Sequence, residues 1–134
     1  MAYMNWDDKF SVGIEEIDAQ HKNLIKMVNE FYGGVKADDN KAMGALLTSL
    51  VEYTLHHFAT EEKYMKKFNY PDTATHMKEH KAFTDKVSDV KERFGSGRLV
   101  LSLEITNFVK DWIIKHVLGT DKKYSKCFIS NGLK

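Results

Sequence analysis

Apolar residues recur at three- and four-residue spacing through four long stretches of this 134-residue chain, and only three clusters of turn-forming residues interrupt them. That period is the mark of helices with one buried face, and no stretch shows the strict alternation of a half-buried strand. The interrupting clusters are Gly33-Gly34 with Ala37-Asp38-Asp39-Asn40, then Asn69-Tyr70-Pro71-Asp72, then Gly95-Ser96-Gly97. A first helix is expected from about Asp18 to Tyr32, with Leu24, Ile25, Val28, Phe31 and Tyr32 as its stripe. A second runs from Asn40, a suitable N-cap, through Met43, Leu46, Leu47, Leu50 and Tyr53 toward Phe68. A third follows Pro71, capped by Asp72, with Phe83, Val87, Val90 and Phe94. The fourth is expected from about Leu99 to Leu118, with Ile105, Phe108, Val109, Trp112 and Ile113. Short connections make neighbouring helices antiparallel, so the expected fold is all-α, an up-down-up-down four-helix bundle. One domain spans 1–134, a size that buries a proper core. Residues 1–17 hold Trp6, Phe10, Val12 and Ile14 without a helical period and read as an arm across the bundle; a short extension follows the fourth helix.

Each apolar stripe, extended, meets a histidine. Leu24, Ile25 and Val28 follow His21 by three, four and seven residues, and Leu47 and Leu50 precede His57 by ten and seven. Glu61 lies one turn beyond His57. His76 and His80 are one turn apart in phase with Phe83 and Val87, and Val109, Trp112 and Ile113 precede His116 by seven, four and three. Five of the six histidines therefore point inward, at least one from each helix. Antiparallel packing also puts them at one height, since His21 and His76 start their helices while His57 and His116 end theirs. Asp121 is five residues from His116, about 140° around a continuous α-helix. It reaches the same centre only if the helix ends between them, and Gly119 suits a left-handed terminating turn.

A single core histidine is more often a packing residue than a ligand, and a lone buried Glu61 pairs readily with a lysine. Five inward imidazoles are different, because each neutral ring keeps a donor and an acceptor to satisfy. If charged, they repel one another in a dry core. Metal coordination resolves both problems. Seven donors exceed the four of a structural zinc site and are too rich in nitrogen for calcium or magnesium. Imidazole with carboxylate suits iron, copper, nickel or zinc. Five nitrogens and two bridging carboxylates fit two adjacent metals with a bridging oxo or hydroxo group, leaving one position open for a small ligand. Two irons are the best match.

His21, His57-x-x-x-Glu61, His76-x-x-x-His80 and His116-x-x-x-x-Asp121 resemble, in order, the complete ligand pattern of the hemerythrin family. Ile17-Asp18-Ala19-Gln20-His21 and His57-Phe58-Ala59-Thr60-Glu61-Glu62 resemble its bacterial, single-domain members, as do the thirty-five residues between His80 and His116. The resemblance implies that His76, His80 and His116 hold one iron and His21 and His57 the other. Glu61 and Asp121 would bridge them, and molecular oxygen would bind reversibly at the two-histidine iron for transport or storage. It also implies that Trp112, Ile113 and Val117, with Phe58 opposite, wall the oxygen pocket; ordinary core packing is the competing reading. An apolar wall excludes the water and protons that promote loss of peroxide.

The remaining candidates divide by phase. His56 is one residue off the stripe and should face away from the metals. Tyr124, three after Asp121, either orients that carboxylate or packs as an aromatic. Asp18 reads as a helix cap, and Cys127, the only cysteine, has no visible partner. Twenty basic against nineteen acidic residues give a net charge of +1, and Lys122, Lys123 and Lys126 form a solvated face, so no nucleic acid is expected. The N-terminus has no secretory pattern and no stretch reaches the ~20 apolar residues of a membrane span, which suggests a cytoplasmic protein without membrane insertion. An oxygen-consuming enzyme is the candidate recipient of delivered oxygen. A sensor domain ranks second. A di-iron oxidase or peroxidase ranks third, since no histidine here follows a Glu by three residues as in ferritin-like oxidases. Iron storage and nitric oxide scavenging are further readings.

Overall fold

The computed structural model describes residues 4–36, 40–95 and 103–133. Helix α1 spans Glu15–Lys36, α2 Asn40–Lys67, α3 Thr73–Gly95 and α4 Leu103–Lys115. A wide helical turn over His116–Asp121 joins α4 to α5, Lys122–Ser130, so the fourth rod of the bundle is α4, the wide turn and α5 in series. The rods form the expected antiparallel four-helix bundle, with α1 against both α2 and α4, and α2 against α3. The expected loop over Ala37–Asp39, the turn at Ser96-Gly97 and the start of the fourth helix at Leu99 lie outside the described residues, as do the side chains of Asn40 and Ile105.

Local chemistry explains the ends. Glu15, Glu16 and Asp18 crowd the first turn of α1, and Lys66 and Lys67 the last turn of α2, each sign complementing the helix dipole. Asn69 takes φ 53°, and the Tyr70 and Asn69 N–H groups return to the Met65 and Lys66 carbonyls at 2.9 and 3.4 Å. That is a Schellman stop, after which Pro71 forbids continuation. Asp72 stands at the cap of α3, its carbonyl taking the His76 N–H at 3.0 Å.

Three features differ from the sequence reading. Gly33 and Gly34 lie inside α1 rather than in a loop. An interior glycine costs about 1 kcal/mol, but here it allows close packing: a Cβ on Gly34 would stand 3.3 Å from Met43 Cγ on α2. The arm is shorter than expected, since Glu15–Ile17 are already helical. Its Ser11 hydroxyl and Val12 N–H both donate to the Asp18 carboxylate, so Asp18 ties the arm down instead of capping the helix. Phe108 is 38% exposed, leaving Val109 as the buried member of that pair.

The core has two apolar parts. The larger includes Leu24, Val28, Phe31, Met43, Leu50, Phe83, Val87, Val109 and Ile113. The smaller gathers Val12, Ile14, Ile17, Met65, Tyr70, Tyr124 and Phe128. Along every rod the passage from one part to the other crosses the inward histidines and carboxylates. The polar layer is thus sealed between two hydrophobic plugs.

Candidate metal centre

All seven polar residues singled out in the sequence are brought together, each no more than 3% exposed. Their donor atoms form two groups, each within a 4.8 Å span. One contains His76, His80, His116, Glu61 and Asp121; the other contains His21, His57 and the same two carboxylates. His21 and His57 stand edge to face with ring centres 4.7 Å apart, as do His76 and His80 at 4.5 Å. Asp121 reaches from one group to the other: Oδ1 lies 2.8 and 3.0 Å from the Nε2 atoms of His116 and His76, and Oδ2 lies 3.1 Å from that of His21. Glu61 Oε1 is 3.0 Å from His80 Nε2, and Oε2 is 3.7 Å from His21 Nε2.

Asp121 arrives by a route that corrects the expectation from sequence. The helix does not stop at Gly119, whose φ is not positive; it widens into a π-type turn from His116 to Asp121. A turn closed by i→i+5 bonds stacks residue i+5 over residue i, as an α-turn stacks i+4. The extra residue brings Asp121 onto the face of His116 without breaking the rod, which then continues as α5.

The outer ring nitrogens reveal residues the sequence reading missed. His57 Nδ1 lies 2.7 Å from Gln20 Oε1, His80 Nδ1 3.0 Å from Glu62 Oε2, and His116 Nδ1 3.1 Å from Glu79 Oε1. Each supporting residue adjoins an inward one in sequence, beside His21, Glu61 and His80 respectively. One step along a helix is about 100°, which swings the neighbour toward the next helix and onto that helix's histidine. That adjacency was a usable signal. The Thr120 hydroxyl donates to Glu79 at 2.7 Å, and Gln20 donates to Thr60 at 3.2 Å. Against partial burial, the Thr120 and His116 contacts hold the Glu79 carboxyl below its ordinary value. Tyr124 donates to Glu61 rather than to Asp121. Burial, reinforced by the two carboxylates, pushes its phenol well above the ordinary range, so it remains a donor.

These contacts test whether the site suits a cation. With Nδ1–H of His80 and His116 donated outward to carboxylates, both Nε2 atoms present lone pairs, yet they face each other at 3.1 Å. Two lone pairs that close repel unless a positive centre lies between them. His21 Nε2, His76 Nε2, Glu61 Oε1 and both Asp121 oxygens likewise crowd together with no partner outside the cluster. An unsatisfied buried polar atom costs about 1–3 kcal/mol, so five converging on one place demand a shared partner. The side chains alone are electrostatically divided. Burial opposes charge on His21 and His76, but Asp121 and Glu61 outweigh it and lift them to about 10 and about 9. At His57 burial prevails and pushes the imidazole down to about 4. The surrounding imidazoles hold Glu61 and Asp121 well below the carboxylate range despite burial. Metal cations fit this donor set; protons alone do not satisfy it.

The family model described as Hemerythrin HHE cation binding domain matches residues 12–127. The chain belongs to the hemerythrin family. Among its relatives, bacteriohemerythrin of Stenotrophomonas maltophilia is 33% identical, over 93% of this chain and 81% of its own length. That of Methylococcus capsulatus is 32% identical over 95% and 98%. A crystal structure of wild-type hemerythrin superposes with a TM-score of 0.93 at 31% identity, over 95% of this chain and 98% of that one. The family model's own description names cation binding.

The aromatic residues expected around the hemerythrin site sit mainly on its three-histidine side. Trp112 is half-buried and stacks on His116 at 4.3 Å and 14°, and Phe58 stacks on His80 at 3.8 Å and 5°. Ile113 and Val117 are buried in the larger core with Leu24 and Leu50. His56 is exposed, facing away from the centre. Among the described residues no helix is long and apolar enough to cross a membrane.

Proposed function

We infer that this chain binds molecular oxygen reversibly at a di-iron centre, for transport or storage. The observation that carries the reading is the unequal division of donors: three imidazoles on one side, two on the other, with two carboxylates common to both. His76, His80 and His116 would hold one iron and His21 and His57 the second, with Glu61, Asp121 and an oxo or hydroxo group between them. By that count the two-histidine side is one ligand short, which leaves room for a diatomic molecule. Two irons held there would supply the two electrons that oxygen takes up on binding and would recover them on its release.

The protein's own part is positioning and exclusion. Gln20, Glu62 and Glu79 orient the Nδ1–H groups of His57, His80 and His116, which keeps each Nε2 lone pair inward. Tyr124 holds one oxygen of Glu61 by donation, fixing the carboxylate's direction. Ile113 and Val117, both buried, and the smaller plug of Ile17, Met65 and Phe128 keep bulk water from either end of the layer. A dry, apolar surrounding offers no ready proton source, so bound oxygen leaves intact. The domain would comprise residues 1–134, act in the cytoplasm, and pass oxygen to an oxygen-consuming enzyme.

Optical spectra of the reduced iron protein before oxygen, after oxygen and after its removal test the reading. Two irons per chain and a charge-transfer band that appears and disappears over repeated cycles are expected. Continuous consumption of oxygen and reductant with no recoverable oxygenated form would overturn it.

A further inference from the structure

The three outer supports are not alike. Behind the three-histidine set stand two carboxylates, Glu62 at 3.0 Å from His80 Nδ1 and Glu79 at 3.1 Å from His116 Nδ1. Behind the two-histidine set, among the described residues, stands only the neutral amide of Gln20, 2.7 Å from His57 Nδ1; one outer nitrogen in each set, His21 Nδ1 and His76 Nδ1, has no hydrogen-bond partner. The two halves share Glu61 and Asp121, so those carboxylates cannot distinguish them. The difference in charge therefore lies in the outer partners.

A carboxylate accepting the outer N–H of a ligand imidazole pulls the proton toward itself and makes the ring a stronger donor through Nε2. An amide accepts the same bond without a negative charge and does so more weakly. Glu79 is further held in place by the Thr120 hydroxyl at 2.7 Å, a residue of the wide turn that also carries His116. The turn thus delivers His116 and Asp121 inward while Thr120 secures the anion behind His116. Glu62 is part of the wall of a surface groove between α2 and α3, of about 510 Å³, in which Phe58 and His80 also take part.

We propose that Glu62 and Glu79 are positioning residues that make the three-histidine half the stronger metal-binding half, by placing two anions behind it where the other half has only Gln20. This rests on the two-metal reading above. The three-histidine half is thereby the anchor, and the weaker two-histidine half is the one left free to exchange a ligand.

The test is titration of the metal-free protein with Co(II) against a competing chelator, following the visible cobalt bands, with helicity as the control for folding. Native protein should show two binding steps of unequal strength and different spectra. Glu62→Gln and Glu79→Gln, which keep length and an acceptor but remove charge, should each weaken the tighter step by about 10–100-fold. The weaker step should stay within about threefold of native, because its outer partner is untouched. Gln20→Met should weaken the other step alone. The side chains of Glu62 and Glu79 are 24% and 40% exposed, so glutamine is accommodated there. Equal weakening of both steps, or no weakening in the Gln variants, overturns the proposal and leaves the di-iron reading intact. Loss of affinity in Glu62→Ala but not Glu62→Gln overturns it too, since the bond and not the charge would then be acting. A native protein that takes up only one Co(II) sinks both readings.

Discussion

Two tyrosine–glutamate hydrogen bonds in this chain share their chemistry and differ in burial, which gives a matched test of what holds the polar layer together. Tyr124 donates to Glu61, and both residues are 0% exposed. Tyr64 donates to Glu16 at the surface. In Tyr124→Phe the ring can keep its stacking on Phe128, at 4.3 Å and 10°, and its place beside His76. Only the hydroxyl is lost, leaving a buried carboxylate oxygen without its donor. A hydrogen bond to a charged group contributes about 1.5–3 kcal/mol. For 134 residues at ~2.1 cal/mol/K each, the unfolding entropy is about 0.28 kcal/mol/K, so the loss lowers Tm by about 5–10 °C. Tyr64→Phe, where water replaces the lost partner, should cost under ~0.5 kcal/mol, or less than about 2 °C. Thermal unfolding of metal-free protein, followed by far-ultraviolet circular dichroism, measures both. Similar shifts for the two variants, or a shift under 2 °C for Tyr124→Phe, would refute the claim that this hydroxyl secures the buried carboxylate.

Metal-free protein should lose stability as pH rises from 6.5 through about 9 and about 10, because the folded-state values of His76 and His21 lie above their ordinary 6.5 and their stabilisation disappears on deprotonation. Between about 4 and 6.5 the depressed His57 works the other way, so Tm should peak near neutrality and the metal-loaded protein should lack the alkaline decline; a flat metal-free profile argues against these charges. Replacing His76 or His80 with Ala should remove at least one iron per chain and abolish oxygen binding, read by metal analysis and optical titration. His56→Ala, at an exposed position, should leave iron content and oxygen binding unchanged; a loss of iron there would mean the helix phase is wrong. Ile113→Ala should keep its iron but shorten the lifetime of the oxygenated form, measured by decay of its charge-transfer band, and an unchanged lifetime would remove Ile113 from the pocket wall.

Helical phase is a local property, so the inward residues were legible before any fold was known. The 3.6-residue period that places Leu24 and Val28 in the core places His21 there too, and the same holds for His57, His76, His80 and His116. Antiparallel packing of four similar rods then aligns their heights without further information. The stop at Asn69-Tyr70-Pro71 was equally local, because a left-handed residue followed by proline ends a helix in any surrounding. Where the reading failed, tertiary contact had overridden local preference. Gly33 and Gly34 look like a loop, but both are helical, and Gly34 packs closely against Met43 of α2. Gly119 looks like a helix end, but the rod stays continuous and widens so that both His116 and Asp121 reach the shared centre. No local period announces a π-type turn, since its extra residue is stabilised by what its side chains meet across the bundle. The outer partners belong to the same class: Gln20, Glu62 and Glu79 are ordinary polar residues by phase, and only the packing of each helix against the next turns them onto a neighbour's histidine. Sequence alone determined which residues face inward, because that depends on rotation about one axis. Tertiary structure decided which carboxylate stands behind which imidazole, because that depends on the distance between two helices.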